Sequence, residues 1–144
     1  MSADSTSGQT FELEQFPETL AVVRLAPGAE IPTWAESSSI LSITATSTET
    51  SLICASRGVP KKSVHPGPLT GFAVSGPLDL ALVGVLHGLL GAMVEEEISV
   101  VTLSTYDTDW ILVPRGDADR AAEAWRRQGH AVAPATPASP ARKK

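Results

Sequence analysis

Few residues in this chain have the chemistry to hold or transform a small molecule, and most of them fall in three stretches. The first is Gly76-Pro77-Leu78-Asp79, which opens the longest helical pattern. First-turn N–H groups of a helix attract an anion such as a carboxylate. Asp79 is then either the N-cap of that helix or a receptor for an ammonium group. A carboxylate receptor beside an ammonium receptor suits a free α-amino acid. The second stretch is Ser104-Thr105-Tyr106-Asp107-Thr108-Asp109. Its Asp107 and Asp109 are either a metal pair or, more commonly, carboxylates that fix and solvate a tight bend. The third, Glu95-Glu96-Glu97, reads as a solvated loop rather than an acid/base pair. His65, His87 and His130 share no metal-ligand spacing such as i, i+4. There is no nucleophile elbow, Walker-type loop or dinucleotide fingerprint. The expectation is therefore a non-enzyme without metal or cofactor. Cys54, the one cysteine, lies in an apolar run and reads as a buried thiol; a disulfide framework or a cysteine metal site within one chain is excluded.

The elements that must position these residues centre on residues 98–113, ISVVTLSTYDTDWILV. Two arms rich in β-branched and aromatic residues flank the polar turn, which predicts a hairpin. Apolar side chains fall on both faces of each arm, whereas a sheet wet on one face alternates more cleanly. Another layer or subunit is expected over the second face. Upstream, residues 69–75 predict a strand. A helix follows from Asp79 to about Val94, with Leu82, Leu86, Leu89, Leu90 and Met93 on one face. Gly84, Gly88 and Gly91 each cost that helix up to ~1 kcal/mol, so close approach of another backbone is expected there. The helix ends at Glu95–Glu97, with those carboxylates in solvent. Downstream, Asp117 is placed as the cap of a short helix burying Ala121, Ala122 and Trp125; Gly129 is its stop, and residues 130–133 form a last strand. The order strand, helix, strand, strand, helix, strand gives an α+β, ferredoxin-like βαββαβ sandwich, an antiparallel four-stranded sheet with both helices on one face.

A degenerate βαββ-like half unit precedes it. Residues 11–16 read as an edge strand, 20–25 as a strand, 31–36 as one helical turn, and 40–46 with 51–55 as a second hairpin. Residues 57–68, with three prolines, two glycines and two lysines, read as a surface loop. The two hairpins share a layout, apolar arm, Ser/Thr-rich turn, apolar arm; this is either an internal repeat or coincidence between hairpins of similar length. The expected organisation is a disordered start (1–10), the half unit (11–68), the complete unit (69–133) and a disordered tail (134–144).

Bulk properties narrow the function classes. The chain has 144 residues, enough for one domain or two very small ones sharing a core. A formal charge of −5 argues against nucleic acid as a partner, since phosphate binding needs a basic face. The longest apolar run, residues 80–94, is shorter than the ~20 residues a bilayer span takes, so no membrane is expected. The first residues carry no basic-then-apolar pattern, and a cytoplasmic location is the expectation.

The phrase GPLDLALVGVLHGLLGAMVEEEISVVTLSTYDTDWILV, with the Ala-rich helix and Gly-His that follow, resembles an ACT domain. The most specific part is STYDTDWILV. The branch it resembles is that of the tandem ACT domains of cytosolic arginine sensors and small standalone bacterial ACT proteins. The lead-in from LAVVRL to SLIC resembles the half unit that precedes the domain there. The resemblance covers residues 11–132 and implies a regulatory protein that pairs its sheets and binds an amino acid at the interface. It places the ligand between the loop opening the first helix of one unit, here Gly76, Pro77, Leu78 and Asp79, and the second strand of another, here Glu97, Ile98, Ser99 and Val100. The arginine-sensor branch adds the turn, here Thr105, Tyr106, Asp107, Thr108 and Asp109.

The resulting expectation is a homodimeric amino-acid sensor that signals through an unknown regulated protein. The helix N-terminus would hold the α-carboxylate, and Asp79 or Asp109 the α-ammonium. The alternative is a structural protein–protein interaction module that binds no ligand.

Overall fold

The structure, a computed structural model, describes residues 9–63, 67–76 and 84–135. The expectations placed on Pro77, Leu78, Asp79, Leu82 and His65, and on residues 1–8 and 136–144, lie outside the described residues. Eight strands form one mixed sheet: β1 (Glu12–Gln15), β2 (Leu20–Leu25), β3 (Ser42–Ala45), β4 (Thr50–Ala55), β5 (Leu69–Val74), β6 (Val101–Ser104), β7 (Asp109–Pro114) and β8 (Ala131–Pro134). Among the described residues three α-helices accompany them: α1 (Thr33–Glu36), α2 (Val85–Glu95) and α3 (Ala118–Arg127).

β5 is the hub of the sheet. All six of its residues, LTGFAV, are buried, as expected of a central strand with both faces covered. It pairs antiparallel with β7 along one edge, from Leu69↔Pro114 to Ala73↔Trp110, and β7 continues the sheet into β6. Its other edge is shared. The end near Val74 takes β1 (Leu13↔Val74), and the end near Leu69 meets β2 at Leu20↔Leu69. β2 continues into β4 and then β3. The halves β2–α1–β3–β4 and β5–α2–β6–β7 therefore repeat one topology, and their first strands lie side by side and antiparallel within one chain.

The complete unit is a ferredoxin-like α+β fold, with one departure from the simple four-stranded sheet. The last strand, β8, does not pair with β5. It pairs in parallel with β1, which stands between them (Leu13↔Val132). Residues 11–16 therefore form an interior strand and not an edge. Their alternation of apolar and acidic residues reflects two unlike faces: Leu13 is buried against the helices, while Glu12 and Glu14 project to the opposite side.

Strand parity sorts the apolar residues into two layers. Phe72, Val74, Ile111, Val113, Leu13 and Val132 face α2 and α3 and form the main core with Leu89, Met93, Ala121, Ala122 and Trp125. Trp125 is fully buried, meets Phe72 edge-on at 4.9 Å between ring centroids, and donates its indole N–H to the Leu89 carbonyl at 2.9 Å. That bond satisfies the only polar atom of the largest side chain in the core and ties α3 to α2. Ala21, Val23, Leu52 and Cys54 lie on the same side of the sheet and pack on Ala35 of α1.

The face opposite the helices carries Leu20, Leu69 and Leu112, packed with half-buried Val22, Ile53, Val101, Leu103 and Trp110. Phe16 sits on Trp110, with ring centroids 4.5 Å apart. Apart from Ile40, this cluster is built of strand side chains alone. The two-sided apolar character of the β6–β7 hairpin thus corresponds to one face under helices and one half-open face.

Several local expectations change. α2 begins at Val85, with Gly84 at its N-cap in a left-handed conformation (φ 86°), so the described helix opens six residues after Asp79. A Cβ built on Gly88 or Gly91 meets nothing within 4 Å, so among the described residues no backbone packs against either. Asp117 occupies the N-cap of α3 without a capping hydrogen bond; its carboxylate pairs with Arg120 at 3.1 Å. Glu96 is not simply solvated. It reaches Arg120 and Arg127, at 3.4 and 3.0 Å, and links the end of α2 to α3.

Candidate functional site

The sequence-predicted residues divide between the two ends of the complete unit. β5 and β6 run parallel, because each pairs antiparallel with β7. α2, which connects them, must run back across the sheet. Its N-terminus therefore lies at the end of β5 near Val74, and its C-terminus near the start of β6.

At the first end the 104–109 turn folds on itself. Thr105 donates its N–H to the Thr108 carbonyl at 2.8 Å, and the Thr108 N–H returns to the Thr105 hydroxyl at 3.2 Å. The Ser104 hydroxyl donates to the Asp109 carboxylate at 2.6 Å. These bonds give a glycine-free turn its shape, as the hydroxyl-rich sequence predicts. The Thr108 hydroxyl donates to the Val74 carbonyl, which holds the turn against the end of β5 one residue before Ser75-Gly76. Gly76, Thr105, Thr108 and Asp109 thus share one end with the N-terminus of α2, which has no side-chain cap among the described residues. Asp109 is half-buried; Asp107 and Tyr106 are exposed.

Glu97, Ile98 and Ser99 lie at the other end. Glu97 turns the chain out of α2 with φ 58°, an uncommon conformation for a residue other than glycine. Ile98 is buried in the main core, its N–H bonded to the Met93 carbonyl at 2.9 Å. Val100 packs partly against that core. Ser99 faces a cavity of about 420 Å³ on the half-open face of the sheet. Val22, Leu69 and Val101 form its floor, and Pro68, Pro114 and Arg115 flank it. The Arg115 N–H donates to the Pro68 carbonyl at 3.0 Å, which fixes the rim where β7 ends. Sequence reasoning reached Ser99 but missed Val22 and Arg115. Prolines directly outside β5 and inside the end of β7, the latter followed by an arginine, were the available signal.

The remaining titratable candidates serve structure. His130 is 9% exposed and stacks on Phe11. Its Nδ1 accepts the Phe11 N–H at 3.0 Å, and burial lowers its pKa below the ordinary value, so the ring is held neutral. Burial pushes the Cys54 thiol up, with the Glu18 charge adding to it, and the side chain is fully enclosed. Glu18 is raised by burial, but the Ser39 hydroxyl and N–H and the Arg57 guanidinium outweigh that, and its net shift is downward. The group clamps the start of β2 to the α1–β3 connection.

Residues 68–127 match the ACT domain family model. That segment, less than half of the chain, is an ACT domain. A second model, that of an N-terminal domain, matches residues 18–62 ahead of the ACT segment. No curated protein matches the sequence. Among solved structures, the fold is shared with a protein from Agobacterium tumefaciens at 23% identity and a TM-score of 0.80, covering 90% of this chain and 98% of that one. A Vibrio cholerae protein of unknown function, described as a possible transport protein, aligns at 14% identity and 0.69, covering 84% and 91%. The regulatory subunit of aspartate kinase from Thermus flavus aligns at 7% identity and 0.59, covering 83% and 98%. At these identities the likeness is one of fold. Among the described residues, no helix is long and apolar enough to cross a membrane.

Proposed function

We propose that this ACT protein is a ligand sensor that binds a free amino acid and acts as a homodimer on a regulated partner. The observation that carries this reading is the convergence, at one end of the ACT unit, of Gly76, the N-terminus of α2 and the 104–109 turn held on by Thr108. The helix end offers positive potential to an α-carboxylate. The Asp109 carboxylate, which accepts one hydroxyl and keeps further lone pairs, suits an α-ammonium. The role is regulatory, with no chemical step.

The split of the predicted residues supports the dimer. Glu97 and Ser99 lie at the far end of the unit, so one copy alone does not bring them to the turn. A second copy that placed its β6 start against the Gly76 end of the first would assemble both halves, as the ACT resemblance implies. The half-open apolar face around Leu103 and Trp110 is surface such a contact would cover.

A thermal-shift screen against the free amino acids tests the reading, since ligand at 100 times Kd stabilises by ~2.7 kcal/mol. For an amino acid that does bind, Asp109→Asn is expected to weaken affinity by about tenfold, as loss of a charge-assisted bond of ~1.5 kcal/mol implies, while leaving the unliganded melting temperature within a few degrees. Light scattering is expected to give twice the chain mass. No shift with any amino acid at millimolar concentration favours the structural interaction module, and unchanged affinity in Asp109→Asn removes that residue from the site.

A further inference from the structure

We propose that β1 is a displaceable strap: the chain has a second arrangement in which β1 leaves the sheet, β8 closes directly onto β5, and the Gly76 end is released. The ACT unit does not need β1 to close, because β5, α2, β6, β7, α3 and β8 already supply its βαββαβ order. β8 runs parallel to β1, and β1 antiparallel to β5, so β8 already has the antiparallel sense that pairing with β5 requires. The register fits as well. Leu13 stands opposite both Val74 and Val132, and all three face the main core. A sideways step of one strand spacing, ~4.8 Å, sets Val132 opposite Val74 in the place of Leu13. Gln128, Gly129 and His130 join α3 to β8, and a connection of three residues spans up to about 10 Å, enough for that step.

β1 is held by little besides its two ladders. Leu13 is its one buried side chain, and neither Glu12 nor Glu14 forms an ion pair among the described residues. Yet β1 borders the Gly76 end. The Ser75 N–H donates to the Glu12 carbonyl at 2.7 Å, so β1 fixes the residue before Gly76, while Thr108 holds Val74 from the other edge of β5. When β1 leaves, Ser75 loses that partner and the chain entering Gly76 is freed on one side. A sheet edge with two alternative occupants is a bistable element, and a ligand that favours one arrangement draws the population toward it. The regulatory sense of the strap rests on the amino-acid reading; the exchange of strands does not.

Thiol trapping in the full-length protein tests the strap. Glu14 lies between Ala73 and Ala133. Cysteines introduced by Ala73→Cys and Ala133→Cys are then two strand spacings apart, ~9.6 Å, beyond the ~7 Å reach of a disulfide. They meet only when β8 reaches β5. Mild oxidation is expected to join them within one chain, while Cys54, fully enclosed, stays free and reports that the fold has not opened as a whole. Leu13→Ala is expected to speed trapping by at least about tenfold, and the milder Leu13→Val by a smaller factor. In the trapped form the NMR amide signals of Ser75 and Gly76 are expected to move. The positive control is Glu14→Cys with Ala133→Cys, on neighbouring strands. No trapping under conditions that join the control pair overturns the proposal, as does trapping that captures Cys54 or trapping indifferent to both Leu13 variants. Any free amino acid that raises Tm in the thermal screen is expected to slow trapping; an unchanged rate overturns the coupling. Trapping itself needs no ligand, so its failure is distinct from failure of the amino-acid reading, which the thermal screen decides.

Discussion

Replacing Leu20 by alanine tests whether the two halves share one cooperative structure. Leu20 has no exposed surface, and its residue is the single backbone partner of β5 from β2, opposite Leu69. Its Cδ1 lies 3.1 Å from where a Cβ on Gly71 would stand, so the side chain rests directly on the β5 backbone. Leu69 and Leu112 complete its surroundings. Leu→Ala in a core costs ~2–5 kcal/mol, more where the walls cannot collapse. These walls are strands held by ladders on both sides, so a loss of about 3 kcal/mol is expected. For a chain of this size that corresponds to a fall in Tm of roughly 12 °C. Leu41, already 37% exposed, is the control; Leu41→Ala should cost under ~1 kcal/mol. Urea unfolding followed by tryptophan fluorescence and circular dichroism reads both halves, since Trp34 lies in the first and Trp110 and Trp125 in the second. A single transition shifted as a whole is the expected outcome. A loss below ~1 kcal/mol, or two transitions of which only one moves, would refute the claim that the seam at Leu20 unites the sheet.

Two further outcomes follow from the geometry. His130 has a folded pKa lowered by burial, so the unfolded chain binds its proton more readily; stability is then complete above the ordinary value of 6.5 and falls as pH drops below it toward the folded pKa. Urea midpoints at pH 7.5, 6 and 5 should show this decline, and His130→Asn, which keeps an acceptor for the Phe11 N–H, should flatten it; a wild-type midpoint constant over that range would contradict it. Gly88 sits inside α2 with open space around it, so Gly88→Ala should stabilise by up to ~1 kcal/mol by helix propensity alone. Destabilisation by the same change would reveal a close contact on that helix face.

Much of the second half could be read from pattern, because its signals are local. Leu89 and Met93 at helical spacing, Ala121, Ala122 and Trp125 on the next helix, and the arms around residues 104–109 all lie where periodicity places them. β1 departs from the edge-strand expectation for a physical reason. Its position between β5 and β8 is fixed by partners that follow it by dozens of residues, and alternation within four residues does not distinguish an edge from an interior strand with unlike faces. Gly84 falls inside the helical pattern of the sequence, yet its positive φ marks the N-cap, a conformation that composition alone does not reveal. Of the candidate site, the turn was legible from its hydroxyls and carboxylates. Separation of Glu97 and Ser99 from that turn was not, because it depends on β5 and β6 running parallel.

The parallel pairing of β1 with β8 has a consequence for how the chain reaches this state. The Phe11 N–H and its acceptor on His130 are separated by 119 positions. As the polypeptide leaves the ribosome, β2, β3 and β4 can zip together early, whereas β1 emerges before them and must wait for nearly everything else. Contacts of such long range slow folding, because the intervening loop must close before the contact rewards it. Until then the edge of β5 and both sides of β1 present unpaired amides and carbonyls, and that interval is when nascent chains are most exposed to mispairing with one another.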